Sequence, residues 1–214
     1  MKTVALLSGG LDSTVMLWKL IHEGHQVIPL TFKTYRRNDR ELEAVKRITS
    51  QAVCSELRIV DTSFLREVVD FPEAFKQRRL TQETPSVIIP FRNIIFYSIA
   101  AHIALYEEAD NVAGGHTSED LSRIPDVGPL FVDMLENILK ISAPFGCVRV
   151  LTPLIGMNKV EVVKLGVKLN APLSLTWSCW SVLDKHCGKC PGCLSRKAVF
   201  ANAGLVDGTE YAEA

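Results

Sequence analysis

The chain has 214 residues, 47% of them hydrophobic, enough to bury one sizeable core in one or two domains. Its 24 basic and 24 acidic side chains balance to a formal charge of zero, which argues against broad electrostatic binding to nucleic acid. No stretch reaches the ~18 to 20 apolar residues that span a bilayer, and Ser8-Gly9-Gly10 cuts off the short apolar run from Val4 to Leu7, so neither a membrane span nor a secretory leader is expected and the chain reads as cytoplasmic.

Thr3 to Leu7 is a short apolar run ending at a Ser-Gly-Gly turn and reads as a buried strand. Leu11 to His22 carries Leu11, Val15, Leu17 and Leu20 at helical spacing, with Gly24 placed as a stop. Gln26 to Phe32 reads as a second strand, Arg40 to Cys54 as a second helix and Leu57 to Asp61 as a third strand. Residues 62–89 lack a clear period and read as a partly basic loop. Pro90 to Glu107 is a long helix and Asn111 to Gly115 a fourth strand. Gly128 to Lys140 is a helix, Val148 to Leu151 a fifth strand and Asn158 to Leu169 another helix. The alternation predicts an α/β fold: a five-stranded parallel sheet with helices on both faces. Such sheets bind ligands at the carboxyl ends of their strands. From about residue 171 the character changes to cysteine-rich, then helical from Leu194 to Ala203, with a tail after Gly208 expected to fray.

Ser8-Gly9-Gly10-Leu11-Asp12-Ser13-Thr14 joins the first strand to the first helix. Its glycines let the backbone approach an anion, and the free N–H groups and dipole of the helix start favour phosphate. Ser8, Ser13 and Thr14 add hydroxyl donors, and Asp12 is suited to hold Mg²⁺ against the phosphates. The plainer reading is a tight turn with Asp12 and Ser13 as first-turn residues. No Gly-Lys-Ser/Thr follows at Walker A spacing.

Cys179, Cys187, Cys190 and Cys193 form the pattern C-x7-C-x2-C-x2-C around a turn containing Gly188, Pro191 and Gly192. Four thiolates make a closed structural zinc site, one ion per chain. An iron–sulfur cluster is the competing metal, and four reactive thiols are the reading without metal. Lys185, Lys189, Arg196 and Lys197 stand nearby and would offset part of the negative charge. Cys54 and Cys147 stand alone and read as packed thiols. The expected division is a nucleotide-binding domain over 1–170 and a small helical zinc-binding region over 171–214.

The phosphate loop resembles the SGGxDS loop of the PP-loop ATP pyrophosphatases, whose fold is that of the adenine nucleotide alpha hydrolases. The resemblance implies Mg²⁺-ATP split to AMP and pyrophosphate, with Ser8, Gly9, Gly10, Leu11, Asp12, Ser13 and Thr14 gripping the pyrophosphate end. Loop and cluster together resemble the QueC family of 7-cyano-7-deazaguanine synthases over nearly the whole chain. The match is carried by Thr176-Trp177-Ser178-Cys179 and His186-Cys187-Gly188-Lys189-Cys190-x-x-Cys193. It extends to Arg40-Glu41-Leu42-Glu43-Ala44, to Pro90-x-Arg92-Asn93, and to Pro153-Leu154-Ile155 with Lys159 and Glu161.

The resemblance implies adenylation of the carboxylate of 7-carboxy-7-deazaguanine, displacement of AMP by ammonia, then a second activation and elimination to the nitrile. Asp12, Lys159 and Arg92 would be the catalytic residues. Lys159 and Arg92 would stabilise charge on the phosphates, and Asn93 would join them in binding ATP. On pattern alone Lys159 is a solvated helix-start lysine and Arg92 a helix-start ion pair. The family also implies a homodimer.

Two stretches depart from the family pattern: Lys33-Thr34-Tyr35-Arg36-Arg37, and Asp120 to Gly128, where tyrosines, a cysteine and an arginine are replaced. Tyr35, Glu119, Asp120 and Asp126 are the expected substrate contacts, with Asp126 or Glu119 suited to the N–H groups of a guanine-like edge. His116 falls in the same expected crevice, with capping or packing as its plainer reading. One alternative is a QueC-like paralogue that joins a deazaguanine to a protein amine. Another is a tRNA-modifying PP-loop enzyme, which zero net charge disfavours. The intact phosphate loop counts against a pure zinc-binding interaction module.

Overall fold

A computed structural model describes residues 1–34, 38–65, 91–121, 124–143, 146, 148–181 and 183–212. The strands are β1 (Lys2–Leu6), β2 (Gln26–Lys33), β3 (Arg58–Asp61), β4 (Asn111–Ala113) and β5 (Arg149–Leu151). They form one parallel sheet in the order β3-β2-β1-β4-β5. The helices are α1 (Leu11–His22), α2 (Asp39–Thr49), α3 (Arg92–Tyr106), the single turn α4 (Ser118–Leu121), α5 (Pro129–Ser142), α6 (Lys159–Lys168) and α7 (Pro191–Ala203). Among the described residues no helix is long and apolar enough to cross a membrane.

Strand side chains alternate between two faces, and both faces are apolar, as a covered parallel sheet requires. Ala5, Val27 and Ala113 pack on one side with Leu17 and Leu20 of α1, Val45 of α2 and Val163 of α6. Val4, Ile28 and Val112 pack on the other with Tyr97 and Ala101 of α3 and Leu135 of α5. Trp177, Cys179, Cys193 and Phe200 belong to the first of these cores, so the C-terminal region shares its interior with α1 and α6. The expected α/β sheet with helices on both faces is the observed fold.

The element ends have local causes. Asn158 and Glu161 form a reciprocal capping box at the start of α6. Pro191 is at the first position of α7, and the Cys190 sulfur accepts from the Cys193 N–H, so this helix begins three residues before the expected Leu194. The second helix ends at Thr49 rather than Cys54, where Ser50 Oγ donates to the Arg47 carbonyl at 2.8 Å. The tail after Gly208, expected to fray, is tied down as far as Ala212. The Ala212 N–H donates to the His186 carbonyl at 2.7 Å, and Tyr211 Oη donates to Asp207 at 2.7 Å. Most of the stretch from 62 to 89, together with Pro90, Ser122, Arg123 and Cys147, lies outside the described residues.

Candidate active site

The chain leaves β1 toward one side of the sheet and β4 toward the other, because β1 lies between β2 and β4. This divergence opens a crevice at the carboxyl ends of the central strands. A cavity of about 370 Å³ lies there, walled by the phosphate loop, by Gly114 to His116 after β4, and by Arg92 and Asn93 at the start of α3.

The loop is held by its own polar groups. Gly9 has φ +85°, and a Cβ there would lie 2.5 Å from the Glu41 carbonyl oxygen, so only glycine fits between the loop and α2. Ser13 Oγ accepts from the Ser8 N–H at 3.2 Å and lies 3.0 Å from Ser8 Oγ. Thr14 Oγ1 donates to the Gly10 carbonyl at 2.8 Å, so this hydroxyl, expected among the anion donors, closes the loop instead. Gly10 caps α1 without a side chain, which leaves the first N–H groups of the helix for an anion. Gly115 lets the end of β4 press against that helix start, since a Cβ there would lie 3.0 Å from the Ser13 nitrogen.

Charge converges on the same place. Lys159 Nζ pairs with Asp12 Oδ2 at 3.3 Å. Burial pushes the Asp12 carboxyl up, and the Lys159 ammonium pulls against it. Burial alone would depress Lys159, but Asp12, Asp120 and Glu119 outweigh it and hold the ammonium charged. Glu119 Oε1 accepts from the Lys159 N–H at 3.1 Å, and Asp120 Oδ2 from the Thr117 N–H at 2.8 Å. Three carboxylates around one lysine leave a net negative site suited to a hard cation arriving with phosphates.

On the far wall Phe32 and Phe96 stack with centroids 4.0 Å apart and rings 6° from parallel. Behind Gly114, the buried Tyr97 hydroxyl has no hydrogen-bond partner among the described residues. Burial, with Asp126 beside it, raises the phenol and keeps it protonated. Burial lowers His116, so that imidazole is neutral near pH 7.

The four expected metal ligands meet. The sulfurs of Cys179, Cys187, Cys190 and Cys193 all lie within 4.8 Å of one another, the one such cluster of possible metal ligands among the described residues. Cys179 to Cys190 is 3.8 Å and Cys187 to Cys193 is 3.9 Å. A tetrahedron with zinc–sulfur bonds of about 2.3 Å has edges of about 3.8 Å, so the donor set fits one ion. The N–H groups of Lys189 and Cys190 pull the Cys187 thiol down to about 6, while burial pushes the neighbouring Cys193 thiol up, and a bound metal would hold both as thiolates. This centre touches the phosphate loop through one peptide: the Trp177 N–H donates to the Gly9 carbonyl at 2.8 Å.

Residues 2–204 match the family model described as queuosine biosynthesis protein QueC. The chain belongs to the QueC family. A 7-cyano-7-deazaguanine synthase of Picrophilus torridus is 36% identical over 98% of this chain and 91% of its own length. One from Acetivibrio thermocellus is 36% identical over 99% and 98%, and one from Nostoc punctiforme 31% identical over 99% and 100%. Solved structures share the fold at low identity. NMN synthetase from Francisella tularensis matches at 13% identity with a TM-score of 0.56, over 96% of this chain and 77% of its own. A predicted tRNA methyltransferase subunit from Methanocaldococcus jannaschii matches at 18% with a TM-score of 0.50, over 78% and 74%. The expectation of an enzyme holds at the level of the QueC family, whose matched members are synthases covered over 91% to 100% of their length.

Of the residues expected from the QueC resemblance, Ser8, Gly10, Asp12, Ser13, Arg92, Asn93 and Asp120 wall the cavity, and Lys159 joins it through Asp12. Glu119 stands behind at the α6 start. Asp126 is anchored to α3 by its backbone carbonyl, which accepts from Asn93 Nδ2 at 3.1 Å. Tyr35 lies outside the described residues. Phe32, Phe96 and Glu41 wall the cavity without having been expected there, and His116, placed in the crevice by the sequence, walls it too. Only Glu41 lay in a stretch that carried the family resemblance. Arg196, expected to offset thiolate charge, is instead paired with Asp207, Nε to Oδ2 at 2.9 Å.

Proposed function

We propose that the protein is a cytoplasmic ligase that converts 7-carboxy-7-deazaguanine to 7-cyano-7-deazaguanine through the amide, consuming ATP and ammonia and releasing AMP and pyrophosphate. The observation that carries the reading is the Asp12–Lys159 pair beside the uncapped start of α1, at the topological switch point of a chain matching synthases end to end.

A carboxylate is a poor electrophile, and its attack on the α-phosphorus expels pyrophosphate and leaves an acyl adenylate. Ammonia then displaces AMP to give the amide. Attack by the amide oxygen on the α-phosphorus of a second ATP expels a second pyrophosphate, and loss of AMP with the two amide N–H protons gives the nitrile. The uncapped N–H groups at the start of α1 hold the departing pyrophosphate. Lys159 and Arg92 balance the charge that develops on it, and Asp12 and Asp120 would hold Mg²⁺, which would neutralise part of the phosphate charge. The Phe32–Phe96 face receives a flat heterocycle, and Asp120, Glu119 and Asp126 accept from polar edges near it. Cys179, Cys187, Cys190 and Cys193 would hold zinc, which would supply no chemistry and would brace the region 171–214 against the domain 1–170.

Purified protein incubated with ATP, Mg²⁺, ammonium and 7-carboxy-7-deazaguanine should yield amide, nitrile, AMP and pyrophosphate by mass spectrometry. ADP with inorganic phosphate as the nucleotide products, or no deazaguanine product at saturating substrate, would refute the reading.

A further inference from the structure

Gly9-Gly10 is the most permissive dipeptide in the loop, because neither residue has a Cβ to bias its backbone. Within the loop the Gly10 N–H of the same peptide donates to Ser8 Oγ at a long 3.3 Å, and the direction of the Gly9 carbonyl sets where the following N–H groups point. The Trp177 N–H, donating to this carbonyl at 2.8 Å, is the shorter restraint and comes from outside the loop. What holds Trp177 therefore matters to the loop.

Trp177 is gripped on both sides by one guanidinium. Arg196 is 2% exposed, and its five N–H groups all find partners. Nε donates to Asp207 Oδ1 and Oδ2 at 3.1 and 2.9 Å. Nη1 donates to Thr176 Oγ1 at 2.6 Å and to Ser178 Oγ at 3.4 Å. Nη2 donates to the Leu173 carbonyl at 2.8 Å and to Asp207 Oδ1 at 3.1 Å. Thr176 and Ser178 are the two neighbours of Trp177. Asp207 is itself fixed by Tyr211 Oη at 2.7 Å and the Thr209 N–H at 3.1 Å. A metal at Cys179 anchors the chain only beyond Ser178; on the other side Thr176 donates to the Leu173 carbonyl from Oγ1 at 2.7 Å and from its N–H at 3.2 Å, and the guanidinium ties that carbonyl and the Thr176 hydroxyl to Ser178 and Asp207.

We propose that Arg196, locked by Asp207 and the C-terminal tail, is a positioning residue for the phosphate loop, acting through Thr176, Ser178 and the Trp177 N–H on the Gly9 carbonyl. It touches no substrate. It lowers the ordering that ATP must otherwise impose on a flexible loop. The inference rests on the ATP reading above.

The test uses the full-length, zinc-loaded protein with Arg196→Lys and Asp207→Asn. Lysine keeps the charge but not the five-donor fork. Zinc content, melting temperature, calorimetric affinity for a non-hydrolysable ATP analogue with Mg²⁺, and KM and kcat are measured. Leu20→Ala in the core of α1 serves as a variant that is only destabilised. Zinc should stay at one per chain in both tail variants. Affinity for the analogue should fall about tenfold or more and KM for ATP rise in step, with kcat within about threefold, as expected for lost ground-state binding. Leu20→Ala should melt lower with unchanged analogue affinity. Unaltered affinity in a folded, zinc-loaded Arg196→Lys protein overturns the proposal. Asp207→Asn decides in the same way if Arg196→Lys does not fold. A wild-type protein that binds no ATP analogue overturns the ATP reading, and this proposal with it.

Discussion

Gly9 and Gly24 offer a controlled comparison, because both are left-handed, at φ +85° and +81°. A Cβ on Gly24 meets nothing within 4 Å. Gly24→Ala therefore carries only the left-handed penalty of about 1–2 kcal/mol. For a chain of this size that lowers the melting temperature by about 2–4 °C per kcal/mol. Gly9→Ala carries the same penalty and also places its Cβ 2.5 Å from the Glu41 carbonyl oxygen and 3.2 Å from Val45 Cγ2. A relaxed carbon–oxygen contact is about 3.3 Å, so roughly 0.8 Å of movement is required. Ala44 and Val45 are fully buried, which pins α2, so the loop yields rather than the helix. It moves off the Trp177 N–H and turns the α1 amides from the phosphates. We expect Gly24→Ala to leave KM for ATP unchanged and Gly9→Ala to raise it about tenfold or more, equivalent to about 1.4 kcal/mol of binding. Pyrophosphate release across an ATP series, with melting curves for both variants, measures this. Equal stability losses and a Gly9→Ala KM within about twofold of wild type would refute the argument.

The other predictions concern charge and metal. Lys159→Ala should cut pyrophosphate release by about 10²–10³, the usual cost of removing one donor to developing charge. Stability should change little, since the two side chains of its ion pair are 35% and 24% exposed. The pH test follows from the raised Lys159 value: such a group contributes fully below its ordinary 10.5 and loses its contribution as pH rises through the higher folded value. The ratio of ATP-analogue affinities between wild type and Lys159→Ala should therefore stay constant from about pH 7 to 9.5, and calorimetry showing it collapse by pH 9 would mean the lysine is not held charged. Zinc should be present at one per chain by elemental analysis. Its removal by chelation should lower the melting temperature and ATP affinity together, because a structural site contributes folding free energy. Cys190→Ser should act in the same direction, and unchanged melting after complete removal would contradict the structural role.

What was legible in the chain is what is local in it. The phosphate loop occupies seven successive residues and the metal ligands fifteen, so each motif carries its own geometry in its spacing. Alternating apolar strands and periodic helices were enough for the sheet and its two covered faces. Element ends were less legible where an unusual group does the capping, as the Cys190 sulfur does for α7. The cavity wall was hardest, because it is assembled across the fold. Phe32 and Phe96 read as ordinary apolar positions of a strand and a helix, and only the packing of α3 on β2 turns them into a stacked face. Tyr97 reads as a core aromatic, and nothing around it in sequence says that its hydroxyl lacks a partner among the described residues.

The same limit explains why the brace between the two motifs was invisible. Trp177 was part of the family resemblance, but its link to the loop is its peptide N–H, which every residue except proline would supply. Side-chain identity at 177 therefore does not record the contact. It is recorded at one remove, in the residues that hold the peptide still: a buried arginine with every N–H engaged, the aspartate it pairs with, and a threonine and a tyrosine in a tail that looked free. A buried guanidinium is costly unless its partners are well placed. The presence of one here, beside apolar core and not facing solvent, argues that the stretch around Trp177 must be held to one position. The loop it holds opens α1, and its conformation sets which way the first N–H groups of that helix point.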